Sequence, residues 1–151
     1  MDGVTIEVLN PRSGVPIPTK ENDLSVVLKL TYGTRRFLLT GDIEMGVEGE
    51  LRDADLAADV VKVPHHGSRT SSTDGFVRAS AAQFAIVSVG RRSTFGHPHA
   101  DVIDRWTAAG TRVFTTGQNG ATSFSTDGTD LLAGTFAGGQ EATFERSGQS
   151  P

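Results

Sequence analysis

Val4, Ile6 and Val8 stand between polar neighbours at the head of the chain, the period-two pattern of a strand with one face buried. Residues 10 to 22 break that pattern with Pro11, Gly14, Pro16 and Pro18 and read as a loop. Two apolar runs follow, Leu24 to Leu30 and Arg36 to Thr40, separated by Tyr32-Gly33-Thr34-Arg35; this spacing predicts a β-hairpin. The period then lengthens. Val47, Leu51, Leu56 and Ala57 recur among charges and predict a helix over 44–57. Val60 to Val63 is a short apolar strand stopped by Pro64. Residues 71–82 predict a helix with Ser72, Thr73 or Asp74 as N-cap. Phe84 to Val89 predicts a buried strand, and residues 100–109 a helix ended by Gly110. Strands over 112–115 and 121–125 complete the reading.

From about Asp42 to Thr116 helix and strand alternate, so a sheet carries helices packed on it; the preceding hairpin makes that sheet mixed. The expected class is α/β (α+β by some schemes), with helices on one face. After Asp127 the composition turns to Gly, Thr, Ala and Ser. The chain therefore divides into a domain over 1–127 and a Gly/Ser/Thr-rich tail over 128–151, with disorder expected from Gly138 to Pro151. No internal repeat is visible.

Composition narrows the function. At 151 residues, with 36% apolar and 21% charged positions, the chain suits one folded domain and not wholesale disorder. A net charge of −4 repels nucleic acid at long range, so DNA contact requires a local basic patch or metal ions. The absence of cysteine excludes disulfides, thiolate ligands and thiol nucleophiles; any metal would be held by His and carboxylate, which suits zinc, manganese or iron. No run approaches the roughly 20 apolar residues of a spanning helix, and the first eleven residues lack the pattern of a secretory signal. The chain as given is expected to be soluble.

Three clusters carry candidate chemistry, each at the carboxyl end of a predicted strand, where open α/β sheets gather ligands. They are Thr40-Gly41-Asp42, then Pro64-His65-His66-Gly67-Ser68, then Phe95-Gly96-His97-Pro98-His99. They hold all four histidines of the chain. Alone, each has a plainer explanation. Asp after Gly is a turn residue, Pro98 suits a helix start, Ser71-Ser72 suits an N-cap, and Arg91-Arg92 suits a solvated loop. Their ordered combination is what points to a metal-dependent site. There a divalent ion takes deprotonated O and N donors from rigid strand ends. Gly67 permits close backbone approach, and Ser68, Ser71 and Ser72 offer hydroxyls to a substrate oxyanion or cap the next helix.

The run Asn22-Asp23-Leu24-Ser25-Val26-Val27-Leu28, then LLTGDIE (38–44), then Ala58 to Ser68 (ADVVKVPHHGS), then Phe95 to His99 resembles one family in order and spacing. That family is the metallo-β-lactamase-fold domain at the C-terminus of ComEC-type DNA-uptake (competence) proteins, and the resemblance covers about residues 4 to 127. It implies an αββα sandwich with two divalent ions, zinc or manganese, at the edge of the paired sheets. By analogy Asp42 bridges both ions and one of His65 and His66 is a terminal ligand, with His66 preferred. Asp42, His66 and His99 form the implied catalytic set, while Ser68, Ser71 and His97 face the substrate. The implied activity is a nuclease on single-stranded DNA, beside a membrane channel of a bacterial inner-membrane protein.

One departure qualifies this. The superfamily motif His-x-His-x-Asp-His is absent, and no histidine precedes residue 65. The chain corresponds to the second half of the domain. It would need the missing N-terminal half, or another copy of itself, to cover the inner face of its sheet. Two alternatives stand beside the nuclease: an inactive remnant that binds DNA or a partner, and another esterase of the superfamily.

Overall fold

A computed structural model describes residues 3–12, 14, 19–137 and 140–146. Its main sheet has six strands in sequence order: β1 (Val4–Asn10), β2 (Val27–Tyr32), β3 (Arg35–Leu39), β4 (Val60–Lys62), β5 (Phe84–Val87) and β6 (Arg112–Thr115). The first three pair antiparallel and β3 to β6 pair parallel. The mixed sheet of the α/β reading is present. Its helices are α1 (Met45–Glu50), α2 (Asp74–Ser80) and α3 (Ala100–Ala108), one in each parallel crossover. The strand order never reverses, and all three helices pack into one cluster with the strands, so they lie on one face.

Alternation along the parallel strands builds the core. Val27, Leu38, Val61, Val63, Ala85 and Val87 point to the helices and meet Val47, Leu51, Phe76, Val77, Val102 and Trp106. Trp106 is fully buried, its ring edge-on to Phe76 at 6.4 Å. Each such aliphatic side chain stabilises by about 1.5–3 kcal/mol on leaving water.

A second sheet covers part of the other face: β7 (Ala121–Thr126), β8 (Leu131–Ala137) and β9 (Gln140–Arg146), antiparallel in that order. Phe124, Leu131 and Ala133 pack there against Phe37, Val60, Phe84 and Phe114. Register places Val8, Leu28 and Leu39 side by side on this face, with Ile6, Leu30 and Phe37 in the next row. Ile6, Val8 and Leu39 are exposed. The face is therefore covered from Phe37 of β3 to β6 and open at β1, β2 and Leu39.

Several boundaries differ from the sequence reading. The helix expected over 44–57 stops at Glu50 and tightens into a 3-10 turn over Leu51–Asp53. Gly46 and Gly49 weaken it, and the Asp55 carboxylate instead accepts from the Ala57 N–H. The helix expected from residue 71 starts at Asp74, capped by the Thr73 hydroxyl. Before it, the buried Glu48 carboxylate accepts the amides of Ser72 and Thr73 and holds them in a turn. The second strand starts at Val27, because the Asn10 amide binds the carbonyls of Asp23 and Ser25 and folds residues 22–24 into a 3-10 turn. The Gly/Ser/Thr-rich stretch from 128 is not a tail over 131–137 and 140–146: these residues form β8 and β9. Leu131 and Ala133 supply the inward side, with only one large side chain to signal it. Of the disorder expected from Gly138 to Pro151, residues 138–139 and 147–151 lie outside the described residues.

Candidate active site

Strands β3, β4 and β5 deliver the three clusters to one end of the sheet. After β3 the chain turns sharply at Gly41, whose φ is +58°. A Cβ there would sit 2.5 Å from that of Ser25, so both conformation and space require glycine. The turn is pinned: the Ser25 hydroxyl accepts the Asp42 N–H at 2.9 Å, and the Thr40 hydroxyl donates to the Lys62 carbonyl at 2.7 Å. Asp42 is thereby presented at the strand end with its side chain partly exposed.

The histidine pair is aimed by unusual backbone. His65, His66 and Gly67 have φ of 45°, 54° and 80°, three consecutive residues in the left-handed region. For residues with a Cβ this costs about 1–2 kcal/mol each. Such strain persists only where the surroundings impose it, and it clusters at functional sites. Gly67 lies under the third cluster; a Cβ on it would come within 2.7 Å of the Pro98 Cβ. The His99 N–H donates to the Gly67 carbonyl at 3.0 Å.

His66 Nδ1 meets the Ser88 carbonyl at 2.5 Å. A carbonyl only accepts, so Nδ1 carries the proton and, in the neutral ring, Nε2 presents a lone pair. That Nε2 lies 3.5 Å from Asp42 Oδ2. Two electron-rich atoms facing each other at this distance favour a cation between them. A backbone carbonyl behind the ring is the support that metal-bound histidines use. His65 is engaged differently, with Nδ1 3.5 Å from Glu44 Oε1 and 3.4 Å from the Thr70 hydroxyl. The geometry separates the pair: His66 faces Asp42 and His65 faces Glu44.

Sequence reasoning missed Lys62 and Glu44. The Lys62 ammonium donates to Asp42 Oδ1 at 3.0 Å and to the Gly41 carbonyl. Burial raises the Asp42 pKa, but the Lys62 hydrogen bond and charge, with the nearby His66 and His65, outweigh it and hold the carboxyl below its ordinary value. The available signal was a lone charge inside the apolar strand Val60 to Val63. Glu44 ties Lys20 at 2.9 Å and the Thr70 hydroxyl at 3.0 Å, and these bonds hold it ionised below the usual range despite burial.

The remaining candidates divide. His97 stacks edge-on with His65 at 5.6 Å and with His99 at 5.2 Å, and Phe95 tilts against His97 at 6.1 Å. Burial, then the neighbouring His65 and His99, push the His97 pKa down. Ser68 and Ser71 are buried. Ser71 Oγ donates to the carbonyls of Pro64 or Ser68, both at 3.0 Å, and Ser68 Oγ is shared with Thr70. Their hydroxyls brace the histidine turn from within.

A metal ion needs several converging donors. Asp42 Oδ2 and His66 Nε2 converge, but the other Asp42 oxygen already holds Lys62. No group of three or more His, Asp or Glu among the described residues is arranged to hold an ion. The two-ion centre implied by the resemblance is not met by these residues alone. No helix among them is long and apolar enough to cross a membrane.

No protein-family model matches the sequence. Curated relatives do. ComE operon protein 3 of Bacillus subtilis (strain 168) is 35% identical over 119 residues, 78% of this chain and 15% of that protein. Competence protein ComA of Neisseria gonorrhoeae is 33% identical over 126 residues, 82% of this chain and 18% of that protein. Recombination protein 2 of Haemophilus influenzae is 32% identical over 103 residues, 68% of this chain and 13% of that protein. The chain thus spans 13–18% of the length of these relatives.

Proposed function

We propose, from the premise that this chain belongs to the ComEC-type competence family, that it carries part of a hydrolase domain that cleaves phosphodiesters of single-stranded DNA during uptake. Asp42 and His66 are its contribution to a metal centre whose other donors lie outside the described residues. The observation that carries this is the approach of Asp42 Oδ2 and His66 Nε2 to 3.5 Å with the ring proton committed to the opposite side. Two further features support it. The His65-His66-Gly67 turn aims both rings at a backbone cost, and such strain clusters at functional sites. The open apolar face at β1 and β2 reaches the site at Leu39, so a sheet laid on that face would bring donors to Asp42 and His66.

In this reading the fold is the second half of a metallo-β-lactamase sandwich, and the ions are zinc or manganese. Bound there, they would supply charge stabilisation to a phosphodiester. The chain's own residues do the positioning. The Ser88 carbonyl fixes the His66 tautomer, Ser25 and Gly41 fix the Asp42 turn, and Lys62 keeps Asp42 charged. A second reading, an inactive module that binds DNA without chemistry, is favoured by the same Lys62, whose ammonium neutralises Asp42 in place.

Cleavage separates the two. Co-expressed with the region that precedes the matched segment in a relative, this chain should cleave single-stranded DNA with added zinc or manganese. The activity should vanish with Asp42→Ala, and the chain alone should be inert. Cleavage by the chain alone, or a folded, metal-loaded pair without activity, would overturn the proposal. Faster turnover of small phosphodiesters than of DNA would assign an esterase instead.

A further inference from the structure

The loop between β5 and α3 supports the half-site at its two ends, through the Ser88 carbonyl and through Pro98 and His99, and its middle, residues 91–97, is separately built and held. The Ser93 hydroxyl accepts the N–H groups of Phe95 at 3.3 Å and His97 at 3.1 Å, and the Ser93 carbonyl accepts that of Gly96 at 3.3 Å. Thr116 anchors the base of the loop, accepting the Val89 N–H and donating to the Val89 carbonyl, both at 2.8 Å. On this support Phe95 is 81% exposed, the most open of the large apolar side chains described. A collapsed core residue would not stand so. Behind it the rings form a ladder, Phe95 to His97 at 6.1 Å and His97 to His65 at 5.6 Å, which ends at the residue before His66 in the strained turn. Arg91 and Arg92, both exposed and without a carboxylate partner among the described residues, stand at the root of the same loop.

We infer that Phe95, Arg91 and Arg92 form a stacking and phosphate-binding clamp for single-stranded nucleic acid next to the Asp42–His66 site. The inference rests on the proposed function, whose substrate it serves. An exposed ring takes the flat face of a base, and only an unpaired, unstacked base offers that face. Two guanidiniums beside it take the flanking phosphates and offset the chain's negative charge locally. The ladder backs the Phe95 ring with imidazole and connects it to the histidine turn that carries His66.

The test reads binding alone, on the full chain. A fluorescein-labelled oligothymidylate of about 12 nucleotides is titrated by anisotropy in low salt. Phe95→Ala should weaken binding about 5- to 100-fold, the worth of one base–aromatic stack. Phe95→Trp should retain binding, and its indole emission should be quenched by the oligonucleotide. The paired Arg91→Ser, Arg92→Ser variant should lower the slope of log affinity against log salt by about 1.4, from two single-strand phosphate contacts. A chain of abasic deoxyribose phosphates should bind wild type and Phe95→Ala alike. No binding by wild type, or an unchanged affinity in Phe95→Ala with an unmoved Phe95→Trp spectrum, would overturn the clamp. Neither metal nor cleavage enters, so failure here leaves the half-site standing, and an inert completed enzyme leaves these binding data standing.

Discussion

Gly67→Ala is the substitution whose effect follows most directly from the geometry of the site. Gly67 sits at φ +80°, and an added Cβ would lie 2.7 Å from the Pro98 Cβ and 3.2 Å from its Cα. Two costs arise. A left-handed backbone with a Cβ costs about 1–2 kcal/mol. Forcing a methyl against a proline ring that is itself held by the His99-to-Gly67 hydrogen bond costs about 1–3 kcal/mol more. With partial relaxation the expected loss is about 2–4 kcal/mol, or a fall in Tm of about 5–12 °C for a chain of this size. The control is Gly75→Ala, in α2, where the new methyl meets nothing within 4 Å and φ is not positive. There the helix should gain about 0.5–1 kcal/mol. Urea unfolding of the three proteins gives both differences. A Gly67→Ala loss below about 0.5 kcal/mol, or equal effects at the two glycines, would refute the claim that strain and close approach hold the histidine turn.

The other perturbations are simpler. The folded pKa of Asp42 lies below its unfolded value of about 3.8, so its bond to Lys62 stabilises fully above that pH and is lost as pH falls through the folded value. Both groups are partly exposed, so Lys62→Met should cost only about 0.2–1 kcal/mol near neutral pH, with the gap closing in acid. A gap that stays constant with pH would assign Lys62 to packing. Trp106→Ala, which empties the fully buried position against Phe76, should cost about 3–5 kcal/mol by denaturant titration. In the completed enzyme Asp42→Ala should abolish activity while His97→Ala reduces it less; equal loss would place His97 among the groups that touch the reacting phosphate.

The parallel half of the fold was legible because each element had one dominant signal. Phe84 to Val87 is an unbroken apolar run, Val60 to Val63 is broken only by Lys62, and Gly110 closes α3 in a left-handed conformation at φ +83°. Elements decided by distant partners were not legible. Glu48, in α1, sets the start of α2 by binding the amides of Ser72 and Thr73, and no local pattern announces that. Strand β8 shows a period-two pattern in Leu131, Ala133 and Thr135, but small residues at two of the three inward positions give it little hydrophobic weight. At the site, order along the chain selected Asp42 and the histidine pair. Choosing His66 for the Asp42 side needed the Ser88 carbonyl, 22 residues away. Lys62 was visible as a residue and invisible as a partner, because only the parallel register of β3 and β4 sets it beside Asp42.

Metal content after equilibrium dialysis against zinc or manganese tests the central claim most directly. With only Asp42 and His66 converging, the chain alone should retain less than about one equivalent, because structural and catalytic sites need at least three protein donors. The same chain joined to the region that precedes the matched segment in a relative should retain two, falling on His66→Ala and not on His65→Ala. Two equivalents held by the chain alone, or a loss on His65→Ala with none on His66→Ala, would contradict the half-site.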